Sequence, residues 1–222
     1  QKVYVTGNTV IDALHWVLNK IDSDKQTRGS LDETLNEQLG FDFHREQFVL
    51  ITGHRRENFG NGFLNICEAI KTTAQKNPGV HFVYPVHLNP NVRQPVNEIL
   101  SGLNNVHLIE PLEYLPFVYL LKHCYLVLTD SGGIQEEAPS LGKPVLVMRQ
   151  VTERPEAVDA GTVKLVGSSR DAISESIQQL LDDQELYGRM SSAHNPYGDG
   201  KACSRIVGIL REALNLGQPL AG

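Results

Sequence analysis

The sequence alternates short apolar segments with longer amphipathic ones, and this alternation constrains the fold more than any other feature. The apolar segments have the length of strands, end at Gly, Pro, Asn or Asp, and cover residues 48–52, 80–84, 106–109, 125–129, 144–148 and 163–166. The amphipathic segments predict helices over residues 63–75, 90–100, 115–122, 134–141 and 171–181. Strands that are apolar on both faces and separated by helices form parallel sheets, so we expect an α/β fold whose sheet is covered by helices on both faces.

The two ends of the chain do not follow this repeat. Residues 9–18 predict one helix, and Ser30, an N-cap candidate with Glu33 three residues on, predicts the start of a second helix. A polar loop over residues 22–26 would separate them, and residues 202–214 predict a terminal helix. These patterns divide the chain into a connection with a helix over residues 1–25, a central domain over 26–195 and a terminal helix region over 196–222.

Composition excludes several classes of function. With 20 Lys and Arg against 26 Asp and Glu the net charge is −6, whereas a nucleic-acid-binding surface needs a basic surplus. The three cysteines lie far apart without a CxxC pair, which indicates neither a zinc site nor a disulfide framework, so we expect no metal and a reducing compartment. No apolar run reaches about 18 residues, so we expect a cytoplasmic protein without a membrane span. The start at Gln1, without Met, suggests a piece of a longer polypeptide.

The turn after the predicted strand at 125–129 carries the strongest motif. Ser131 is a good N-cap residue, and Gly132 and Gly133 let a ligand approach backbone N–H groups at the positive end of the next helix. A diphosphate fits that geometry. Glu137 lies one turn further on, where a carboxylate can accept hydrogen bonds from two vicinal hydroxyls, as a ribose offers. A tight turn followed by a solvated glutamate also explains this spacing.

The turn after the predicted strand at 48–52 is basic although the chain is acidic. It places His54, Arg55 and Arg56 in succession. At the carboxyl edge of a parallel sheet these groups would neutralise phosphate charge, and His54 could donate a proton or a hydrogen bond to a leaving phosphate. The alternative is a charged surface loop in which Arg55 or Arg56 pairs with Glu57.

Three further turns each carry one candidate residue. His87 follows a strand in a Pro-rich turn, where it either contacts a ligand or has a structural role. Phe117 either stacks on a base or packs in the core. Arg154 lies at a helix start, and its guanidinium either binds a phosphate or pairs with Glu153 or Glu156.

All five turns follow strands of the predicted parallel sheet. They should therefore meet at its carboxyl edge, where ligands bind in open α/β sheets. A Ser-Gly-Gly turn backed by a helix dipole, a carboxylate, a His-Arg-Arg cluster and an aromatic ring together describe a pocket for a nucleoside diphosphate. The sequence contains neither GxGxxG with a downstream acid nor GxxxxGK[ST], which excludes the dinucleotide and P-loop interpretations.

At these turns the sequence resembles the non-hydrolysing UDP-N-acetylglucosamine 2-epimerases. The matching runs are VTGNTVID at residues 5–12, TGHRREN at 52–58, YPVHLNPNV at 84–92, TDSGGIQEEAP at 129–139 and TERPE at 152–156. They keep the order of the family and extend over nearly the whole chain. The resemblance implies one half of a GT-B-type enzyme, in which two Rossmann-like domains face each other across the active site. This chain would be the carboxyl-terminal domain, entered near residues 6–12, and its last helix would pack on the missing amino-terminal domain.

The resemblance also implies roles for individual residues. Ser131, Gly132 and Gly133 would hold the diphosphate, and Glu137 would hold the ribose hydroxyls. The uracil would lie near Phe117, and Arg154 would make a further contact with the substrate. His54 would stabilise the departing UDP. Arg55 and His87 match an allosteric site for a second UDP-N-acetylglucosamine.

The implied reaction is reversible inversion at C2 of UDP-N-acetylglucosamine, which gives UDP-N-acetylmannosamine without a cofactor. UDP and the C2 proton leave to form a 2-acetamidoglucal, and UDP then adds back with the opposite stereochemistry. The acid and base carboxylates come largely from the amino-terminal domain in the family, so we expect no catalysis by this chain alone. The resemblance favours a cytoplasmic homodimer that serves cell-surface polysaccharide biosynthesis. A GT-B glycosyltransferase domain and a non-catalytic UDP-sugar sensor are the alternatives.

Overall fold

The computed structural model describes residues 3–214. The strands in that part of the chain are β1 (Phe48–Thr52), β2 (His81–Pro85), β3 (Val106–Ile109), β4 (Leu126–Thr129), β5 (Val145–Val147) and β6 (Val163–Leu165). They form a single sheet in the order β3-β2-β1-β4-β5-β6, and every neighbouring pair is parallel. Each predicted strand is confirmed to within one residue at either end, and the predicted α/β class is confirmed.

Helices cover both faces of this sheet, as predicted. In the described residues they are α1 (Thr9–Ser23), α2 (Lys25–Leu39), α3 (Asn61–Lys76), α4 (Pro90–Leu100), α5 (Tyr114–His123), α6 (Gly132–Ser140), α7 (Pro155–Asp159), α8 (Arg170–Asp182), α9 (Gln184–Ser192) and α10 (Ala202–Ala213). The layer formed by α3, α4, α8 and α9 packs on one face, and the layer formed by α1, α2, α5, α6 and α7 packs on the other.

The strands bury alternate side chains in two separate cores. In β1, Val49 and Ile51 join the core under α3 and α8, whereas Phe48 and Leu50 join the core under α2 and α5. All four are completely buried. Since successive side chains of a strand point to opposite faces, a strand covered on both sides must be apolar at every position, which is why the sequence signal was a continuous apolar run.

The prediction for the start of the second helix was wrong. Ser30 lies inside α2, and the N-cap is Asp24, whose carboxylate accepts hydrogen bonds from the backbone N–H groups of Gln26 and Thr27 at 3.0 and 3.2 Å and from the Thr27 hydroxyl at 2.6 Å. The predicted loop over residues 22–26 is reduced to this one capping residue. Asp183 caps α9 in the same way, directly after α8, and α9 was not predicted.

The structure describes most of the two end regions that the sequence set apart from the central domain. Residues 3–8 form no strand, although Val3 begins an apolar stretch, and the proposed boundary at residue 25 falls on the first residue of α2. The carboxylate of Asp12 in α1 accepts hydrogen bonds from the first backbone N–H groups of α10, at Ala202 and Cys203. Residues 1–2 and 215–222, which include the end of the terminal helix region, lie outside the described residues.

The strand order places a topological switch point between β1 and β4. The chain proceeds from β1 outward to β3 on one side and from β4 outward to β6 on the other, so the turns after β1 and β4 diverge and leave a crevice beyond the carboxyl ends of these strands. These are the turns that carry His54 and Ser131. Within residues 3–214, no helix has both the length and the apolar character that crossing a membrane requires.

Candidate functional site

A cavity of about 230 Å³ lies at this switch point. Four of the five predicted turns contribute to its wall, through Thr52 to His54 after β1, Pro85 and His87 after β2, Pro111, Leu112 and Phe117 after β3, and Ser131 and Ile134 after β4. The structure therefore brings His54, His87, Phe117 and Ser131 together at one edge of the sheet. The fifth turn, after β5, does not line this cavity.

The turns after β1 and β4 are tied to each other by side-chain hydroxyls. Thr52 and Thr129 are partners in the register of the two strands, and their Oγ1 atoms lie 2.6 Å apart. The backbone N–H of Ser131 donates to Thr129 Oγ1 at 3.0 Å. These hydrogen bonds link the two turns directly at the edge of the cavity.

His54 is an exposed side chain on a closely packed turn. The preceding Gly53 is buried, and a Cβ atom there would lie 3.1 Å from Tyr84 Oη and 3.2 Å from Met148 Cε, so a larger residue would have to displace one of these side chains. The imidazole of His54 stacks on that of His87, with ring centroids 5.1 Å apart and planes within 13°. His87 Nδ1 accepts a hydrogen bond from the backbone N–H of Asn89 at 3.1 Å, which leaves the ring its Nε2 as donor.

Ser131 occupies the N-cap position of α6, as predicted. Its side chain makes no capping hydrogen bond, so the first N–H groups of α6, on Gly132 and Gly133, are not covered by the Ser131 hydroxyl. Gly132 is buried and Gly133 is exposed. The end of a helix that presents backbone donors and a positive dipole is suited to bind an anion.

Phe117 satisfies both of the interpretations made from sequence. The ring is partly buried and packs against the core formed with α1, α2 and α5, and it also forms part of the cavity wall. An aromatic ring held on one side by the core presents a fixed apolar surface on the other. A nucleobase could stack there.

Glu137 is not a solvated glutamate. It is 7% exposed, and its Oε1 accepts a hydrogen bond from the Tyr114 hydroxyl at 2.7 Å. Burial raises the pKa of the Glu137 carboxyl above its ordinary value, and the neighbouring Glu136 adds to that effect. A desolvated carboxylate of this kind is a strong acceptor for hydroxyl groups.

Arg154 forms an ion pair, but with neither of the partners considered from sequence. Its Nε donates to Oε1 of the buried Glu136, while Glu136 Oε2 accepts from Asn8 Nδ2 at 2.6 Å. Glu153 contributes only its backbone oxygen, which accepts from Arg154 Nη1 at 3.2 Å. Arg154 therefore links the turn after β5 to α6 and, through Glu136, to the N-cap residue of α1.

Arg55 also pairs with a residue other than the predicted Glu57. Arg55 Nη2 donates to Glu153 Oε1 at 3.0 Å, and the buried Arg149 donates to Glu153 Oε2 at 2.5 Å and to Glu57 Oε1 at 2.8 Å. Backbone hydrogen bonding at Glu153, together with the Arg149 guanidinium, lowers the pKa of the Glu153 carboxyl to about 2. A Cβ on Gly132 would lie 2.9 Å from Glu153 Oε1, so this carboxylate rests against the start of α6.

Arg149 and Glu57 of this ion-pair chain also line another cavity, of about 260 Å³. Sequence reasoning did not single out Arg149, Tyr114 or Glu136, because each has a partner from another segment of the chain, namely Glu57, Glu137 and Arg154. Asp130 is a further buried polar residue without a predicted role, although its position between a buried strand and Ser131 could have drawn attention to it.

Residues 1–211 match the sequence profile of the family described as UDP-N-acetylglucosamine 2-epimerase. A curated relative, the UDP-N-acetylglucosamine 2-epimerase of Yersinia pestis, is 56% identical over 210 residues, which are 95% of this chain and 55% of the relative. The chain thus spans about half the length of the curated relatives that it matches.

Solved structures give the same assignment. The crystal structure of the UDP-GlcNAc 2-epimerase from Neisseria meningitidis bound to UDP-GlcNAc superposes with a TM-score of 0.87 at 53% identity, over 95% of this chain and 56% of that one. The carboxyl-terminal domain of a group 1 glycosyl transferase from Francisella tularensis superposes with a TM-score of 0.52 at 18% identity, over 72% of this chain and 86% of that domain, which shows a shared fold alone. The chain belongs to the UDP-N-acetylglucosamine 2-epimerase family.

Proposed function

We propose that this chain is the UDP-binding half of an enzyme that interconverts UDP-N-acetylglucosamine and UDP-N-acetylmannosamine. The observation that carries the proposal is the cavity between the β1 and β4 turns, whose wall includes His54, Phe117 and Ser131. Family membership supports the reaction, and the Neisseria relative is named as binding UDP-GlcNAc. Since the chain spans about half of its relatives, the complete active site requires an amino-terminal domain in the GT-B arrangement.

The diphosphate binds at the start of α6. Backbone N–H groups of Gly132 and Gly133, the Ser131 hydroxyl and the helix dipole supply donors and positive potential without a metal ion or a cofactor. Arg154 adds a guanidinium from the turn after β5. Its pairing with Glu136 holds it beside α6, and its fork geometry suits a phosphate oxygen.

The nucleoside extends from α6 toward the turn after β3. The uracil stacks near Phe117, with Pro111 and Leu112 completing the apolar wall. Glu137 accepts hydrogen bonds from the ribose hydroxyls. Tyr114 engages Oε1 of that carboxylate, and the ribose bonds to the other oxygen.

His54 stabilises UDP as it leaves C1 of the sugar. A base removes the proton at C2 as the C1–O bond breaks, which gives UDP and a 2-acetamidoglucal, and UDP then returns to C1 while an acid protonates C2 from the opposite face. The acid and base carboxylates belong to the amino-terminal domain. His54 is therefore the catalytic residue of this half, and this chain alone binds UDP without turning over substrate.

Arg55 and His87 are proposed to contact a second molecule of UDP-N-acetylglucosamine at an allosteric site. The stacking of His87 on His54 supports this proposal, because a ligand that moves His87 also changes the environment of the catalytic imidazole. The cytoplasmic location, the homodimer and the role in cell-surface polysaccharide biosynthesis are further parts of the proposal. The location is supported by three free cysteines, as expected in a reducing compartment.

Calorimetric titration of the chain with UDP tests the binding site. We expect saturable binding by the wild type and a loss of about tenfold or more for Glu137→Ala and for Arg154→Ala, since a hydrogen bond to a charged group contributes about 1.5–3 kcal/mol. Arg189→Ala, which removes an exposed ion pair with Glu185 in α9, is the matched control and should bind as the wild type does. Equal binding by the wild type and both site variants would contradict the site assignment.

Solvent deuterium distinguishes the epimerase from the glycosyltransferase alternative. With the full-length protein in heavy water, epimerisation introduces deuterium at C2 of the sugar, because the C2 proton exchanges while the intermediate is bound. Sugar transfer to an acceptor without exchange at C2 would favour the transferase. Absence of any turnover by the full-length protein would favour a UDP-sugar sensor.

A further inference from the structure

Asp130 is a completely buried carboxylate at the end of β4. Its Oδ2 accepts hydrogen bonds from the backbone N–H groups of His54 at 3.0 Å and Arg55 at 2.8 Å. It also lies 3.4 Å from Asn58 Nδ2. One carboxylate oxygen of the residue before Ser131 thus accepts two successive backbone N–H groups of the His54 turn, and bonds from N–H groups to a charged acceptor are about twice as strong as neutral ones.

The other polar groups of the His54 turn are fixed as well. Tyr84 Oη donates to the carbonyl oxygen of Gly53 at 2.7 Å, and Asn58 Nδ2 donates to the carbonyl oxygen of Met148 at 3.2 Å. The backbone on either side of His54 is therefore bonded to Tyr84 of β2 and to Asp130 after β4, and the Asn58 side chain bonds the same turn to the residue after β5. The exposed His54 imidazole extends from this bonded backbone at the cavity wall.

Asp130 is a costly residue to keep for stability alone. Its contacts on Oδ2 are with neutral donors, and Oδ1 is buried without a hydrogen-bond partner among the described residues. Burying a carboxylate without a cation has an unfavourable free energy, which an apolar side chain would avoid. What Asp130 supplies, and an apolar side chain cannot, is an acceptor for two successive N–H groups at one point.

We infer that Asp130 is a positioning residue that sets the distance between the His54 imidazole and the phosphate-binding start of α6. It acts through His54 and does not itself contact the substrate. The inference rests on the proposed function for the identity of the ligand. It adds that a buried carboxylate at the switch point aligns the catalytic group with the diphosphate site.

Amide hydrogen exchange measured by NMR tests the geometry without any ligand. In the wild-type chain the amides of His54 and Arg55 should be protected, and Asp130→Ala should raise their exchange by about tenfold or more, since each tenfold corresponds to about 1.4 kcal/mol. Leu50 in β1 and Val83 in β2 should not change. Asp130→Asn keeps one acceptor oxygen and the side-chain volume, so the exchange rates of these two amides should lie between those of the wild type and the alanine variant. If the alanine variant does not fold, the asparagine variant alone tests whether Asp130 holds the turn. Unchanged exchange at His54 and Arg55 in the Asn variant and in any folded Ala variant would overturn the inference.

Kinetics of the full-length protein test the role. Asp130→Asn should lower kcat by about 100-fold, because small misplacement of a catalytic group costs that much, while KM stays within about threefold. In a His54→Ala background the same substitution should change kcat by less than about threefold, because no imidazole remains to be positioned. An equal loss in both backgrounds means a general structural role and overturns the inference. If the wild type neither binds UDP nor turns over, the proposed function fails, and the exchange experiment still decides the geometry.

Discussion

The two edges of the sheet carry the same kinds of side chain and use them differently. His81 lies at the amino edge, where the strands begin, and both of its ring nitrogens are hydrogen-bonded. Nδ1 lies 2.8 Å from His107 Nε2, and Nε2 lies 3.0 Å from Glu46 Oε2. The His81 ring also stacks on Phe41, with ring centroids 3.9 Å apart. At the carboxyl edge, His54 is exposed and stacks on His87, which is also exposed.

A second cluster at the amino edge follows the same rule. Asp32 Oδ1 accepts from His44 Nε2 at 2.7 Å and from the Tyr119 hydroxyl at 2.8 Å. Burial opposes ionisation there, but these two hydrogen bonds hold the pKa of Asp32 below its ordinary value. Histidine and carboxylate side chains that saturate one another contribute to the fold. Similar side chains on a fixed backbone, with their polar atoms at a cavity, are available to a ligand.

The largest effect is expected when a histidine at one edge is compared with a histidine at the other. In the full-length protein, His54→Ala should lower kcat by about 100-fold or more, the contribution typical of a positioned acid or hydrogen-bond donor. Its melting temperature should change little, because the side chain is exposed. His81→Ala is the matched control at the amino edge, and it should lower the melting temperature and leave kcat unchanged. A normal rate for His54→Ala would contradict the role of the carboxyl edge.

The next largest effect is expected when the carboxylates Glu137 at the carboxyl edge and Asp32 at the amino edge are compared. Burial raises the pKa of the Glu137 carboxyl, so the folded protein favours its protonated form. The stability gained in this way is fully present below the pKa of the unfolded chain and is lost as the pH rises through the pKa of the folded protein. Glu137→Gln should therefore raise the melting temperature at pH 8 and weaken UDP binding by about tenfold. Asp32→Asn should do the reverse at pH 8, lowering stability and leaving UDP binding unchanged. Melting curves at pH 4 and 8 and UDP titrations measure both effects. A lower melting temperature for Glu137→Gln at pH 8, or a higher one for Asp32→Asn, would contradict the prediction.

A third effect concerns acid stability, which we expect to arise at the amino edge. Burial lowers the pKa of His107 to about 4, and burial with the charge of His44 does the same for His123. In the unfolded chain these histidines bind protons near pH 6.5, so stability should fall as the pH drops below about 6.5, with a loss of roughly 1–2 kcal/mol for each histidine at pH 5. Urea midpoints at pH 7.5 and 5 measure this. His54→Ala should keep the wild-type dependence, whereas His107→Gln should reduce it, and identical curves for all three proteins would contradict the assignment.

The smallest effect tests the ion-pair chain at the carboxyl edge. The Glu153 carboxylate lies against Gly132 and engages Arg55 and Arg149, so it competes with a phosphate for the same positive charges. Glu153→Gln should tighten UDP binding by about threefold at low salt, within the range for exposed pairs, and the gain should vanish at high salt. Asp22→Asn, which breaks an exposed pair with Lys122, is the control without effect. Weaker binding by Glu153→Gln would mean that Glu153 helps to hold the ligand.

Much of the fold could be predicted because it depends on local patterns. Strands covered on both faces are apolar throughout, and their ends are marked by turn residues. The starts of α2 and α9 were not predicted, because single aspartates at 24 and 183 cap a new helix directly after the preceding one ends. A polar run of this kind looks like a loop in sequence. The strand order, which creates the switch point, depends on pairing between distant segments and has no local signal.

The candidate site could be predicted in its location and less well in its contacts. Sequence alone placed His54, His87, Phe117 and Ser131 at one edge, and the structure gathers them around one cavity. The partners of Glu137 and Arg154, Tyr114 and Glu136, could not be predicted because they come from other elements. Whether each predicted residue contacts a ligand stays a prediction.

The central claim is that the switch point between β1 and β4 binds UDP, and an NMR titration of this chain with UDP tests it most directly. We predict saturable chemical-shift changes at the amides of His54, Ser131, Gly132 and Gly133, and none at His81 and His107. Shifts confined to the amino edge, or no saturable change at the four carboxyl-edge amides while UDP is bound, would contradict the account.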